Sequence, residues 1–199
     1  MSFDSDNSHK TIDDCFLWEE FRKGSKSAFS ILISKYAKSL FEFGYRFCHD
    51  KELVMDSLQE MYADLWESRR NLSSLTFVKW YLFKVLKNRI LRERTKKRKE
   101  SLVEDEYDFQ LEFNIEDRLI ANRQDVELAF KIQKVLNTLS PRKREIIYLR
   151  YYEGLSFDEI AEVMNLNKQS VHNLLQKAYN SFRTEWSVLL FFLPIIAKW

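Results

Sequence analysis

Three groups of side chains in this sequence have the types and spacing to act chemically, and each would act by binding. Lys168, Gln169, Ser170, His172, Asn173, Gln176 and Lys177 fall on one segment whose apolar residues, Val171, Leu174, Leu175, Ala178 and Phe182, recur at helical steps. Carboxamides of Gln and Asn can pair with adenine edges and Lys with guanine or phosphate, and one good bidentate pair discriminates by ~1–3 kcal/mol. A second group, Lys84, Lys87, Arg89, Arg92, Arg94, Lys96, Lys97, Arg98 and Lys99, is interrupted by a single acid, Glu93, and makes a patch for a polyanion. The third is Asp56, Gln59 and Glu60, at i, i+3 and i+4 on the face opposite Val54, Leu58, Met61 and Leu65. An acidic, polar helix face of this kind suits a basic or polar protein partner, although a merely solvated face would read the same way.

Other chemistries lack their residues. There is no glycine-rich phosphate loop and no nucleophile with a partnered base. Cys15, Cys48, His9, His49 and His172 are scattered without metal-ligand spacing. The sequence predicts no enzyme, no cofactor, no metal and no disulfide. The N-terminus is polar, without the apolar centre of a signal peptide, so the expected location is cytoplasmic.

The elements that position these groups are helices. Only three Gly and two Pro occur, and hydrophobic residues make up 45% of the chain, a composition for an all-α protein with cores of ordinary size. Helical steps predict a first helix from Phe16 to Lys23, stopped at Gly24. A second spans Ala28 to Phe47, with Phe29, Leu32, Ile33, Tyr36, Leu40 and Phe43 on one face. A third spans Glu52 to Arg70, and a fourth runs from about Phe77 into the basic segment. Farther on, Ser140-Pro141 reads as an N-cap and first helical residue, and Gly154 as a C-cap. Ser156-Phe157-Asp158-Glu159 reads as a capping box. Asn165 suits a turn that needs positive φ, and Asn167 caps the next helix. Helix, three-residue turn and helix, pivoting on Ile160, Ala161, Leu166 and Val171, make a helix-turn-helix, which lays its second helix in the DNA major groove.

The net charge of +2 averages over opposed segments, since the basic run gives way to Glu100, Glu104, Asp105, Glu106, Asp108, Glu112, Glu116 and Asp117. The expected organisation is a disordered N-terminus at 1–14, a four-helix domain at 15–100 and an acidic linker at 101–123. A helix-turn-helix domain at 124–186 and an apolar tail at 187–199 complete it. Tyr107, Phe109 and Phe113 make the linker stickier than a solvated tether.

Leu139-Ser140-Pro141-Arg142-Lys143-Arg144-Glu145, Leu149-Arg150-Tyr151-Tyr152-Glu153-Gly154-Leu155-Ser156 and Glu159-Ile160-Ala161 resemble region four of the sigma-70 family of RNA polymerase sigma factors. Output domains of response regulators share a similar helix-turn-helix, so the first domain decides between them. Gly24, Ala28-Phe29, Tyr36, Asp56-x-x-Gln59-Glu60, Leu65-Trp66, Trp80-x-Leu82 and Asn88 look like region two of the same family. The linker is too short for the additional domain of larger members, which selects the two-domain, extracytoplasmic-function (ECF) class.

The resemblance implies a transcription initiation factor that carries core RNA polymerase to promoters. Asp56, Gln59 and Glu60 would meet the β′ clamp helices, and the β flap would be a further polymerase contact. The helix-turn-helix would read the −35 element through Lys168, Gln169, Ser170, His172, Asn173, Gln176 and Lys177. Capturing opened −10 DNA needs aromatic stacking, worth ~1–3 kcal/mol per base, with cations on the phosphates. Phe77, Trp80, Lys79, Lys84, Lys87, Asn88 and Arg92 supply both, although Trp80 and Leu82 also suit the core. The family's base-holding loop corresponds to about Arg69 to Phe77, where Asn71, Ser73 and Ser74 offer hydrogen bonds. By the same resemblance the linker would thread towards the polymerase active centre, with Asp105, Glu106 and Asp108 standing where RNA later passes.

Two rivals remain: a regulator using the helix-turn-helix alone, and a sigma-like decoy that binds polymerase without starting transcription. The tail from Val188 to Ala197, broken by Pro194, is too short for a membrane span, which needs about twenty residues. It is expected either to fold back on the second domain or to dock a regulator, such as an anti-sigma factor or another recruiting protein.

Overall fold

The computed structural model describes residues 7–99, 108–111 and 123–196. Every regular element among the described residues is helical, and the chain divides into two compact units that meet in sequence at Glu106–Tyr107.

The first unit is built from α1 (Asn7–Arg22), α2 (Lys26–Cys48), α3 (Lys51–Ser68) and α4 (Val78–Lys99), with a 3₁₀ turn at Arg69–Asn71. Its boundaries follow local chemistry. Gly24, at φ 105°, closes α1 in a Schellman turn in which Ser25 N donates to Glu20 O and Gly24 N to Phe21 O, each at 2.9 Å. Ser25 then caps α2 by accepting from Ala28 N, and Asp50 caps α3 by accepting from Leu53 N at 3.0 Å. Inside lie Leu32, Leu40, Phe43 and Phe47 of α2, Val54, Leu58, Met61 and Leu65 of α3, and Leu82, Phe83, Leu86 and Ile90 of α4. Trp18 and Phe21 of α1 complete this core, with ring centroids 5.2 Å apart.

Of the expected disordered stretch at 1–14, residues 1–6 lie outside the described residues, and Asn7–Asp14 are corrected to helix by α1. The reason is Asp14, which is buried and accepts from the Tyr36 hydroxyl and from the Lys35 ammonium of α2. A polar residue can be buried when its acceptors are satisfied, and here that pairing draws a polar segment into the fold.

The second unit comprises α5 (Arg123–Thr138), α6 (Pro141–Ile147), a π-helical turn at Tyr148–Tyr152, α7 (Phe157–Met164) and α8 (Lys168–Ile196). Pro141 starts α6 as expected. Ser140 has the extended backbone of a cap, but its side chain makes no capping bond. Of the expected linker at 101–123, residues 108–111 and Arg123 are described; Arg123 already belongs to α5, and residues 108–111 are not a solvated tether. Phe109 is fully buried, 5.7 Å from the Tyr148 ring, Leu111 is buried, and Gln133 Nε2 donates to Leu111 O. Asp105 and Glu106, Tyr107 and Phe113 lie outside the described residues. At the C-terminus the backbone of α8 continues as one helix through Pro194 to Ile196. No described helix is long and apolar enough to cross a membrane.

Candidate nucleic-acid interface

The helix-turn-helix is assembled by its caps. Ser156 N donates to Glu159 Oε2 at 2.8 Å and Glu159 N to Ser156 Oγ at 3.3 Å, the reciprocal bonds of a capping box. Asn165 takes φ 53° at the turn, where Leu166 N reaches back to Ala161 O at 2.9 Å. Asn167 Oδ1 accepts from Ser170 N at 2.7 Å and starts α8. Ile160 and Val171 are fully buried at the pivot, while Ala161 and Leu166 are half-buried.

This geometry exposes Lys168, Gln169, His172, Asn173, Gln176 and Lys177 together on α8, with Ser170 half-buried among them. Several are held in place. Lys168 Nζ lies 2.9 Å from an Asp158 carboxylate oxygen, Gln169 Nε2 donates to Asn173 Oδ1 at 3.1 Å, and the His172 ring stacks on Phe157 at 5.1 Å. The Arg150 guanidinium lies 5.0 Å from the same Phe157 ring and donates to Leu155 O at 2.9 Å. Phe157, Arg150 and Asp158 were missed as organisers of this face. Their signal is the aromatic inside the capping box, which shows only once the chain folds back on it.

In the first unit, Asp56, Gln59 and Glu60 are all exposed on α3, opposite the buried Val54, Leu58, Met61 and Leu65. Glu60 is already engaged, because Arg89 of α4 forks between Glu60 and Asp64. Neither Asp64 nor Arg89 was assigned to this face from sequence.

Between the 3₁₀ turn and α4 the chain runs without regular structure. Asn71, the last residue of the turn, is exposed, as are Ser73, Ser74, Thr76 and Phe77 beyond it, Phe77 to 42%, whereas Leu72 and Leu75 are half-buried. Its carbonyls turn towards α1. Trp18 Nε1 donates to Ser73 O at 3.0 Å, and Cys15 Sγ lies 3.3 Å from Leu75 O and 2.8 Å from Thr76 O. Burial pushes the Cys15 thiol up, with Asp14 and Glu19 adding to the effect, so it stays protonated and able to donate.

Along α4, Asn88 and Arg92 are exposed, and Lys79 and Lys84 are half-buried. Trp80 is half-buried rather than a core residue, edge-on to Tyr81 at 5.9 Å and carrying the Lys84 ammonium 5.6 Å from its ring centroid. Lys87 is the correction to the expected basic surface. It is 6% exposed, with its ammonium 5.8 Å from the Phe47 ring centroid, so its stem fills the interior instead of standing with its neighbours. Lys97, Arg98 and Lys99 belong to the helical backbone of α4, but their side chains lie outside the described set. Among the described residues, no group of His, Cys, Asp or Glu is placed to hold a metal ion.

Family comparisons agree with this two-part layout. Residues 32–100 match the model of sigma-70 region 2, and residues 129–181 match sigma-70 region 4. The RNA polymerase sigma-H factor of Pseudomonas aeruginosa is 24% identical over 169 residues, covering 81% of this chain and 88% of its own. The sigma factor SigV of Bacillus subtilis is 21% identical over 164 residues, covering 82% and 94%. The same fold occurs in CnrH, solved in complex with the cytosolic domain of CnrY (TM-score 0.56, 19% identity, 89% of this chain and 97% of that one). It also occurs in the sigma factor RpoE of Bartonella quintana, solved with the anti-sigma factor NepR (TM-score 0.58, 18% identity, 80% and 97%). The chain belongs to the sigma-70 family, as a transcription initiation factor of the ECF class that directs RNA polymerase to promoters.

Proposed function

We propose that the two units divide promoter recognition between them, each through the exposed and half-buried residues described above. In the first, Asp56, Gln59 and Glu60 meet the β′ clamp helices of core RNA polymerase. The segment Asn71, Ser73, Ser74 and Phe77, with Lys79, Trp80, Lys84, Asn88 and Arg92 of α4, receives opened −10 DNA. Half-exposed aromatics offer stacking there and the cations offer phosphate contacts. In the second unit, α8 enters the major groove of the −35 element and reads it with Lys168, Gln169, His172, Asn173, Gln176 and Lys177, and this unit also meets the β flap.

The observation that carries the reading is the uninterrupted polar row on α8, presented by a turn that is capped at both ends. The protein would do no chemistry of its own and would act in the cytoplasm, where the polymerase works. An anti-sigma factor is a natural regulator, since the related RpoE was solved with the anti-sigma factor NepR.

The test pairs two double variants. Asp56→Ala with Gln59→Ala should weaken capture of core polymerase and spare binding to −35 duplex. Lys168→Ala with Gln176→Ala should leave polymerase capture intact and reduce −35 selectivity by ~1–3 kcal/mol per lost base contact. Interchangeable defects would overturn the division. Polymerase capture by the wild-type chain without run-off transcripts would identify a decoy instead.

A further inference from the structure

The first unit contains a device that the promoter reading above does not use: α1 reaches across to the segment that precedes α4. That segment, Leu72-Ser73-Ser74-Leu75-Thr76-Phe77, follows the 3₁₀ residue Asn71, contains neither Gly nor Pro and forms no regular structure. Left alone, such a stretch samples many backbone states, and fixing them costs conformational entropy. Backbone carbonyls removed from water also need donors. Here the donors come from far away in sequence. The Trp18 indole N–H donates to Ser73 O at 3.0 Å, and the Cys15 thiol shares its single S–H between Leu75 O and Thr76 O.

The donors are themselves fixed. Trp18 is 1% exposed, with its ring edge-on to Tyr81 at 5.5 Å and 5.2 Å from Phe21. One residue before Cys15, Asp14 ties the helix to Lys35 and Tyr36 of α2. Rigid contacts therefore run from α2 through Asp14 to α1, and from Cys15 and Trp18 to three carbonyls of the segment. The side chains of Ser73, Ser74, Thr76 and Phe77 stay exposed. With these carbonyls held by α1, the exposed side chains are presented in one arrangement, the condition for discriminating between bases.

We infer that Trp18 and Cys15 are positioning residues for −10 recognition: by hydrogen-bonding the carbonyls of Ser73, Leu75 and Thr76, they set the segment's conformation and with it the choice of base. The inference rests on the proposed role of this segment in holding −10 DNA. It makes α1 a determinant of promoter choice without any contact between α1 and DNA.

The experiment uses the full chain with core polymerase in run-off transcription, on one promoter and on versions carrying each single-base change in the −10 element. Trp18→Phe keeps an aromatic ring and removes the N–H, Cys15→Ala removes the thiol donor, and Cys15→Ser restores a donor. Thermal midpoint, polymerase capture and −35 duplex binding report whether each variant is folded and otherwise intact.

In folded Trp18→Phe, discrimination among −10 bases should fall about tenfold, comparable to losing one base contact. Cys15→Ala should lose several-fold and Cys15→Ser should recover it, a rescue that a mere space-filling role would not give. Wild-type discrimination in both Trp18→Phe and Cys15→Ala overturns the inference. If Trp18→Phe does not fold, Cys15→Ala decides alone: wild-type discrimination overturns, and loss with recovery in Cys15→Ser supports. A parallel double variant, Asn71→Ala with Ser74→Ala, separates this from the reading beneath it. Unchanged discrimination there removes the segment from −10 recognition, whereas loss there beside wild-type behaviour in the α1 variants removes only the brace.

Discussion

In the second unit the Tyr148 hydroxyl donates to the buried Glu153 carboxylate at 2.6 Å, across the π-helical turn that joins α6 to the helix-turn-helix. The turn is widened by one residue, since Glu153 N donates to Tyr148 O at 3.0 Å in an i to i+5 bond. The same Tyr148 ring lies against Phe109 and stacks with Tyr152 at 4.9 Å. One side chain thus orders the turn that presents α7 and receives the strap at 108–111.

Tyr148→Phe keeps the ring and removes a hydrogen bond to a charged group, so stability should fall by about 1.5–3 kcal/mol. Phe109→Ala removes a fully buried aromatic and should cost about 3–5 kcal/mol. Chemical denaturation of the chain, followed by tryptophan fluorescence and circular dichroism, measures both. If Phe109→Ala left stability unchanged, the strap would not be part of the folded second unit.

Two glycines should respond to alanine in different ways. Replacing Gly by Ala inside a helix ordinarily stabilises by about 1 kcal/mol. At Gly44 the added Cβ would lie 2.8 Å from Ile90 Cδ1 and 3.1 Å from Val54 Cγ1, where α2 approaches both α3 and α4. Overpacking of this kind costs ~1–3 kcal/mol, so Gly44→Ala should lower the thermal midpoint. Gly154 has open space around it, and its φ of 70° is the whole difficulty. Gly154→Ala should cost ~1–2 kcal/mol through backbone strain alone, and Gly154→Asn should recover much of it.

Much of this architecture was legible because apolar steps of three and four residues survive in α2, α3 and α4, and because the caps around Ser156, Asn165 and Asn167 are local in sequence. The recognition row on α8 was legible for the same reason, since polar residues between Val171 and Ala178 must face away from a buried stripe. What escaped depended on long-range pairing. Asn7 to Asp14 reads as a polar tail until Tyr36 and Lys35 are seen to satisfy Asp14. Lys87 reads as one more surface cation, because nothing local marks that its stem lies against Phe47. The donors to Ser73, Leu75 and Thr76 lie 55–61 residues upstream, beyond any local pattern.

The Cys15 thiol should give the first unit a pH signature. Burial, then Asp14 and Glu19, raises its folded pKa above that of the unfolded chain, so the folded state favours the protonated form. The contribution is complete below the unfolded thiol's pKa and is lost as pH rises through the folded value. In a Cys48→Ala background, alkylation of Cys15 by iodoacetamide should therefore lag behind the urea-unfolded chain, and the gap should close in alkaline solution. Equal rates for native and unfolded chains at neutral pH would show that the thiol is not held as described.

The ion pair between Lys168 and Asp158 predicts a distinct behaviour for −35 binding. Both side chains are exposed, so the pair itself contributes little to stability, about 0–1 kcal/mol. Its effect is on where a cation is aimed: an ammonium shared with Asp158 is partly withheld from the DNA backbone. Asp158→Asn should free it, strengthen binding to any duplex and steepen the dependence of log K on log salt by about one unit. Lys177→Ala, if that residue contacts phosphate, should flatten the slope by a similar amount, whereas Gln176→Ala should leave the slope alone and relax selectivity at one base position by ~1–3 kcal/mol. Titrating fluorescent −35 duplexes and scrambled controls at several salt concentrations separates these outcomes. A slope unchanged by Asp158→Asn would place Lys168 away from phosphate.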